Sequence, residues 1–221
     1  MKSTYETLLM DYAAGTLDTA HNVIIASYLT FSPEARRYVA AYEDIGGAMM
    51  SHLCECAEMS NTCLEAVLAK LDSLPSECAE KAECVESCVK NCSPLPQPIA
   101  QSLPADHHPE WRRAFQNRPG GGMEWTTLKF PDGSGEVRVI RCTPGFALPR
   151  HTHLGPEITL VLDGSYEDDT GRYVRGDLTV MEDRSEHEPL ADVKAGCLLI
   201  CLNPHPIRFT GLFQRLFNPF I

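Results

Sequence analysis

The sequence predicts an α+β protein in two parts, a small N-terminal four-helix domain followed by a C-terminal antiparallel β barrel or jelly roll. Up to about residue 72 the apolar residues recur at helical spacing, with capping residues at the joints. From Pro109 onward they fall in short β-rich runs separated by glycine turns. Between them residues 93–104 are proline-rich, a stiff linker that stops helix continuation. These boundaries set a helical domain with a cysteine-rich extension at 1–92, a linker at 93–108 and the barrel at 109–221. A chain of 221 residues suffices for one or two domains with a real core.

Each helix has local signals. Residues 5–14 carry Leu8, Leu9 and Tyr12 ahead of Gly15, a helix-closing residue. Asp18 caps a second helix running to about Thr30, with Val23, Ile24, Ile25 and Leu29 as its buried side. Ser32, Pro33 and Glu34 open a third with an N-cap, a first-position proline and a first-turn acid. Its apolar stripe is Tyr38, Tyr42, Ile45 and Met49. Residues 63–71 make the fourth, with Leu64, Val67, Leu68 and Leu71. Such stripes either fill a bundle core or clasp a partner, and spacing alone favours the core.

In the second half, runs at 124–130, 136–142, 157–162, 166–173, 178–181 and 197–202 read as strands. Between Gly145 and Gly164, His151 and His153 stand two apart, so on a strand they share a face and can grip one ion. Gly155 and Pro156 supply the turn that returns Glu157 to it, and His187 follows a second turn at Gly176 and Asp177. Three imidazoles and a carboxylate suit zinc, iron, manganese, nickel or copper, and ligand type alone does not choose among them. Cys197 and Cys201 share one strand face and read as core, with Cys142 packing behind the motif. Tyr166, Glu167 and Glu186 read as ordinary barrel and loop residues. The run Phe209, Leu212, Phe213, Leu216, Phe217 and Phe220 has helical spacing and reads as a cover for an open end of the barrel or as a subunit interface, with burial against its own barrel the default.

Charge is uneven. Residues 1–110 hold 6 basic and 16 acidic side chains, a net of −10, and the rest hold 13 and 14, a net of −1. An acidic helical half argues against direct nucleic-acid binding and suits a basic protein partner or a solvated surface. No membrane span or secretory signal is present, so a cytoplasmic location is expected and the ten cysteines read as reduced thiols or ligands. Cys84, Cys88 and Cys92 lie at i, i+4 and i+8, a candidate soft-metal or oxidant-sensitive trio with His52, Cys54 and Cys56 as partners; Cys63 and Cys78 flank it. No pair has the Cys-x2-Cys spacing of a zinc ribbon, which favours small apolar fillers or idle thiols.

The pattern Gly-x5-His-x-His-x3-Glu-x6-Gly with a later histidine resembles the metal motifs of the cupin superfamily. Together with the opening Tyr5 to Leu17, the Gly46-Gly47 pair in the third helix and the proline-rich linker, the chain resembles the ChrR-type anti-sigma factors. That resemblance implies a helical domain that sequesters an extracytoplasmic-function sigma factor. It also implies a zinc-binding cupin domain needed for release under oxidative signals such as singlet oxygen, with His151, His153, Glu157 and His187 as ligands. Pairing of two copies through the cupin sheets is left open. The family's helical domain carries its own zinc through an N-terminal histidine and a His-x3-Cys-x2-Cys motif; here the matching positions are Tyr28, Ser32 and Ala35, so no zinc is expected there. The alternative is a cupin enzyme, a metal-dependent dioxygenase or isomerase of small molecules. No acid/base pair beyond Glu157 demands it.

Overall fold

The structure, a computed structural model, describes residues 2–53, 60, 62–73, 95–102, 110–116, 121–130, 132–203 and 205–211. The trio Cys84, Cys88 and Cys92, with Cys54, Cys56 and Cys78, lies outside them, as does the apolar run beyond Gly211. Five helices are described: α1 (Lys2–Ala13), α2 (Thr19–Phe31), α3 (Pro33–Leu53), α4 (Cys63–Asp72) and α5 (Gln97–Ser102). Their ends follow the local signals. Gly15 takes φ 67°, and the Gly15 and Thr16 amides close the end of α1 on the carbonyls of Tyr12 and Asp11. Asp18 accepts from the His21 amide at 2.9 Å, and Ser32 from the Ala35 amide at 3.1 Å.

The expected four-helix core is a three-helix one. Leu9, Ile25, Ala35 and Val39 form the centre of α1–α3. No residue of α4 is buried, and Ile45 and Met49 of the α3 stripe are also exposed. The positions matched to the family's zinc motif are occupied by packing. The Tyr28 and Tyr5 hydroxyls lie 2.9 Å apart with their rings edge to face, Ser32 caps α3, and Ala35 is fully buried.

Eleven strands follow: β1 (Arg112–Ala114), β2 (Met123–Lys129), β3 (Glu136–Cys142), β4 (His151–Thr152), β5 (Glu157–Asp168), β6 (Gly171–Val174), β7 (Leu178–Met181), β8 (Glu186–His187), β9 (Leu190–Ala191), β10 (Cys197–Leu202) and β11 (Arg208–Phe209). An antiparallel sheet runs β1-β2-β3-β10-β5-β6, with β7 and β9 also paired to β5, and a small sheet runs β11-β4-β8. The short strands β1, β8, β9 and β11 carry too few residues to show alternation in sequence.

Alternation in the large sheet separates two environments. Leu128, Val137, Val139, Ile158, Leu160, Ile200 and Leu202 form one face, and Ala20, Val23 and Ile24 of α2 pack on it with Ile99 of α5. The other face turns Glu157, Thr159, Val161 and Cys201 into the barrel. α2 therefore serves two cores at once, giving Ile25 to the helices and Val23 and Ile24 to the sheet. Its N-terminus is tied to the β2–β3 hairpin by Thr19 donating to Asp132 and by the Ala20 amide donating to Ser134 at 3.2 Å. Its C-terminus sets Phe31 under Arg175 and against Gly176. The proline-rich stretch also differs from expectation, because residues 97–102 form α5. Pro98 sits in its first turn, where a missing N–H costs no bond, and Ile99 is fully buried.

Candidate metal centre

His151 and His187 are brought together by strand pairing. β4 and β8 are antiparallel with His151 directly opposite His187, and their Nε2 atoms lie 3.0 Å apart. His153 follows β4 immediately, and the turn through Gly155, at φ 77°, returns the chain to Glu157 at the start of β5. His153, Glu157 and His187 place one ligand atom each within 4.8 Å of one another. All four side chains are buried. Three of the four residues read from the motif thus share one cluster, and His151 lies outside that trio, touching it through His187 Nε2.

The ring protons are assigned by their partners. His151 Nδ1 faces the Pro149 carbonyl and His153 Nδ1 the Gly155 carbonyl, both at 2.9 Å, and His187 Nδ1 faces the Asp168 carboxylate at 3.2 Å. Those oxygens only accept, so each neutral imidazole carries its proton on Nδ1 and turns an Nε2 lone pair inward. The result is an incomplete polar cluster. His153 Nε2 is buried without a hydrogen-bond partner, and the Nε2 lone pairs of His151 and His187 face each other. A divalent cation held by His153, Glu157 and His187 would satisfy the orphaned His153 Nε2 and the lone pair of His187, so these donors fit a transition metal. Burial, and then the neighbouring His187, lowers His151 to about 4, which keeps its lone pair free near neutral pH.

The carboxylates are equally constrained. Asn203 donates to Glu157 Oε2 at 3.1 Å, leaving Oε1 for the cluster, 4.0 Å from His187 Nε2. Burial alone would raise Asp168, but bonds from the Thr170 hydroxyl and amide and from His187 hold it below the usual carboxylate value. Asn203 and Asp168 carry no local sequence signal, since their roles depend on how the barrel closes. Tyr166 is buried with its hydroxyl 3.1 Å from the Thr179 hydroxyl, and burial raises its phenol. Glu167 and Glu186 are exposed. Cys201 is buried beside Glu157, whereas Cys197 pairs with Cys142 across β10 and β3 at the opposite end of the strand.

An antiparallel barrel with inward-turned imidazoles, backed by helices on the outer face of its sheet, defines a cupin protein of two parts. Residues 108–206 match the ChrR cupin-like domain family. The anti-sigma-E factor ChrR of Cereibacter sphaeroides is 30% identical over 215 residues, 97% of this chain and 95% of that protein. The solved structure of Rhodobacter sphaeroides SigE in complex with the anti-sigma ChrR superposes with a TM-score of 0.65 at 28% identity, covering 90% of this chain and 96% of that one. The chain belongs to the ChrR family of anti-sigma factors.

Proposed function

We propose that this chain sequesters an extracytoplasmic-function sigma factor with its N-terminal helices, and that its cupin barrel holds one zinc ion and takes part in oxidative-stress sensing. The observation that carries the first claim is an apolar surface left exposed among the described residues. Ile45, Met49, Met50 and Leu53 of α3, with Leu64, Val67, Leu68 and Leu71 of α4, are all exposed. Apolar helix faces of this size mark a partner surface. The related ChrR was solved bound to SigE.

His151, His153, Glu157 and His187 would hold the metal. A zinc ion bound there supplies the positive charge that the inward lone pairs and the carboxylate lack. Asn203 restrains Oε2 of Glu157 and leaves Oε1 toward the histidines. The helical arm with its exposed apolar faces, which a catalyst does not need, favours a structural or sensing role over catalysis. The test is co-expression with the sigma factor, followed by mass and metal measurement of the purified complex. A one-to-one complex with one zinc is expected. A chain that purifies alone, carries iron and consumes oxygen with a diketone would instead establish a cupin dioxygenase.

A further inference from the structure

We propose that Asp168 is a positioning residue of the metal centre, holding His187 by its outward nitrogen and making it the strongest imidazole donor of the three. The inference rests on the metal reading above. β5 is twelve residues long and would span about 40 Å if straight. Its two ends nevertheless reach opposite nitrogens of one imidazole, Glu157 Oε1 lying 4.0 Å from His187 Nε2 and Asp168 Oδ2 lying 3.2 Å from His187 Nδ1. The strand bends at Gly164, beside a register shift against β10. There φ is 69°, and a Cβ would meet the Gly196 carbonyl oxygen at 2.1 Å. The first half of β5 then pairs with β7 and β10, and the second half with β6 and β9.

Asp168 is prepared for this contact. The Thr170 amide and hydroxyl both donate to Oδ1, which leaves Oδ2 to His187, and the carboxylate is completely buried. Asp169, next in the hairpin, is tied at 2.8 Å to Arg150, the neighbour of His151. Among the described residues, His151 and His153 have neutral carbonyls at Nδ1, whereas His187 has a charged acceptor there. A carboxylate behind an imidazole fixes its tautomer and raises its basicity, and losing such a partner weakens metal affinity about 10- to 100-fold.

The experiment compares the full chain with its Asp168→Ala and Asp168→Asn variants, titrating zinc against a chromophoric chelator. Asp168→Ala is expected to weaken zinc about 10- to 100-fold. Asp168→Asn, which restores a neutral acceptor, should recover part of that loss. In the zinc-loaded chain the Nδ1 proton resonance of His187 should move, while those of His151 and His153 stay in place. Affinity within twofold of wild type in both variants, or three imidazole signals moving together, would overturn the role of Asp168. A wild-type chain that takes up no zinc would instead overturn the metal reading and this inference with it.

Discussion

Replacing Leu68 on α4 by glutamate separates binding from folding. Leu64, Val67, Leu68 and Leu71 are 63%, 51%, 49% and 57% exposed, so about half of each side chain remains to be covered. Full burial of such a side chain contributes about 1.5–3 kcal/mol, so covering the remaining half contributes about 1 kcal/mol each, and about 3–6 kcal/mol for the four. In affinity that is about two to four orders of magnitude. Leu68→Ala should weaken sigma-factor binding about fivefold. Leu68→Glu, which also forces a carboxylate out of water, should weaken it more than 100-fold. The free chain should keep its stability within about 0.5 kcal/mol, because the site is exposed before binding. Titration calorimetry against the sigma factor and urea unfolding of the free chain measure the two effects. Unchanged affinity would show that α4 lies outside the interface, and a free chain weakened by several kcal/mol would show that it packs within its own fold.

Three further outcomes follow from the cores and the site. Ile24→Ala, at a fully buried position between α2 and the sheet, should cost about 2–5 kcal/mol in one cooperative urea transition; two transitions, only one of them shifted, would contradict a shared α2. Gly164→Ala sets a Cβ against the Gly196 carbonyl at positive φ and should cost at least about 3 kcal/mol or prevent folding, as circular dichroism would show. In the metal-free chain His151 sits near 4 against an ordinary value of 6.5, so the unfolded state takes up a proton first. Its contribution is present above pH 6.5 and is lost as pH falls toward 4, by up to about 3 kcal/mol; equal unfolding midpoints at pH 7 and pH 4.5 would refute it.

What could be read in the sequence was local. Asp18, Ser32 and Gly15 act within four residues of themselves, and the structure places each helix end where they predict. The spacing of His151, His153 and Glu157 fits into one short strand and one turn, so the cluster is legible from the motif. Features that depend on the closed barrel were not. Val23, Ile24 and Ile25 read as one buried side, but which core takes each is decided by where the sheet lies. The stripes of α3 and α4 look the same whether they face a bundle or a partner, and the structure leaves much of them exposed. Asp168 is nineteen residues from His187 and meets it through the closed barrel, where β5 bends at Gly164. Asn203 is forty-six residues from Glu157. Proline-rich composition suggested a plain linker around residue 98, although proline in a first turn is compatible with the helix found there.

The central claim is that the helices bind the sigma factor and the barrel site governs the response without forming the interface. It is tested most directly by titrating the sigma factor into the wild-type chain and into Glu157→Ala, with zinc counted in both samples. The account predicts one zinc in the wild type, none or nearly none in the variant, and sigma-factor affinities within about threefold of each other. Loss of sigma-factor binding together with the zinc would contradict it.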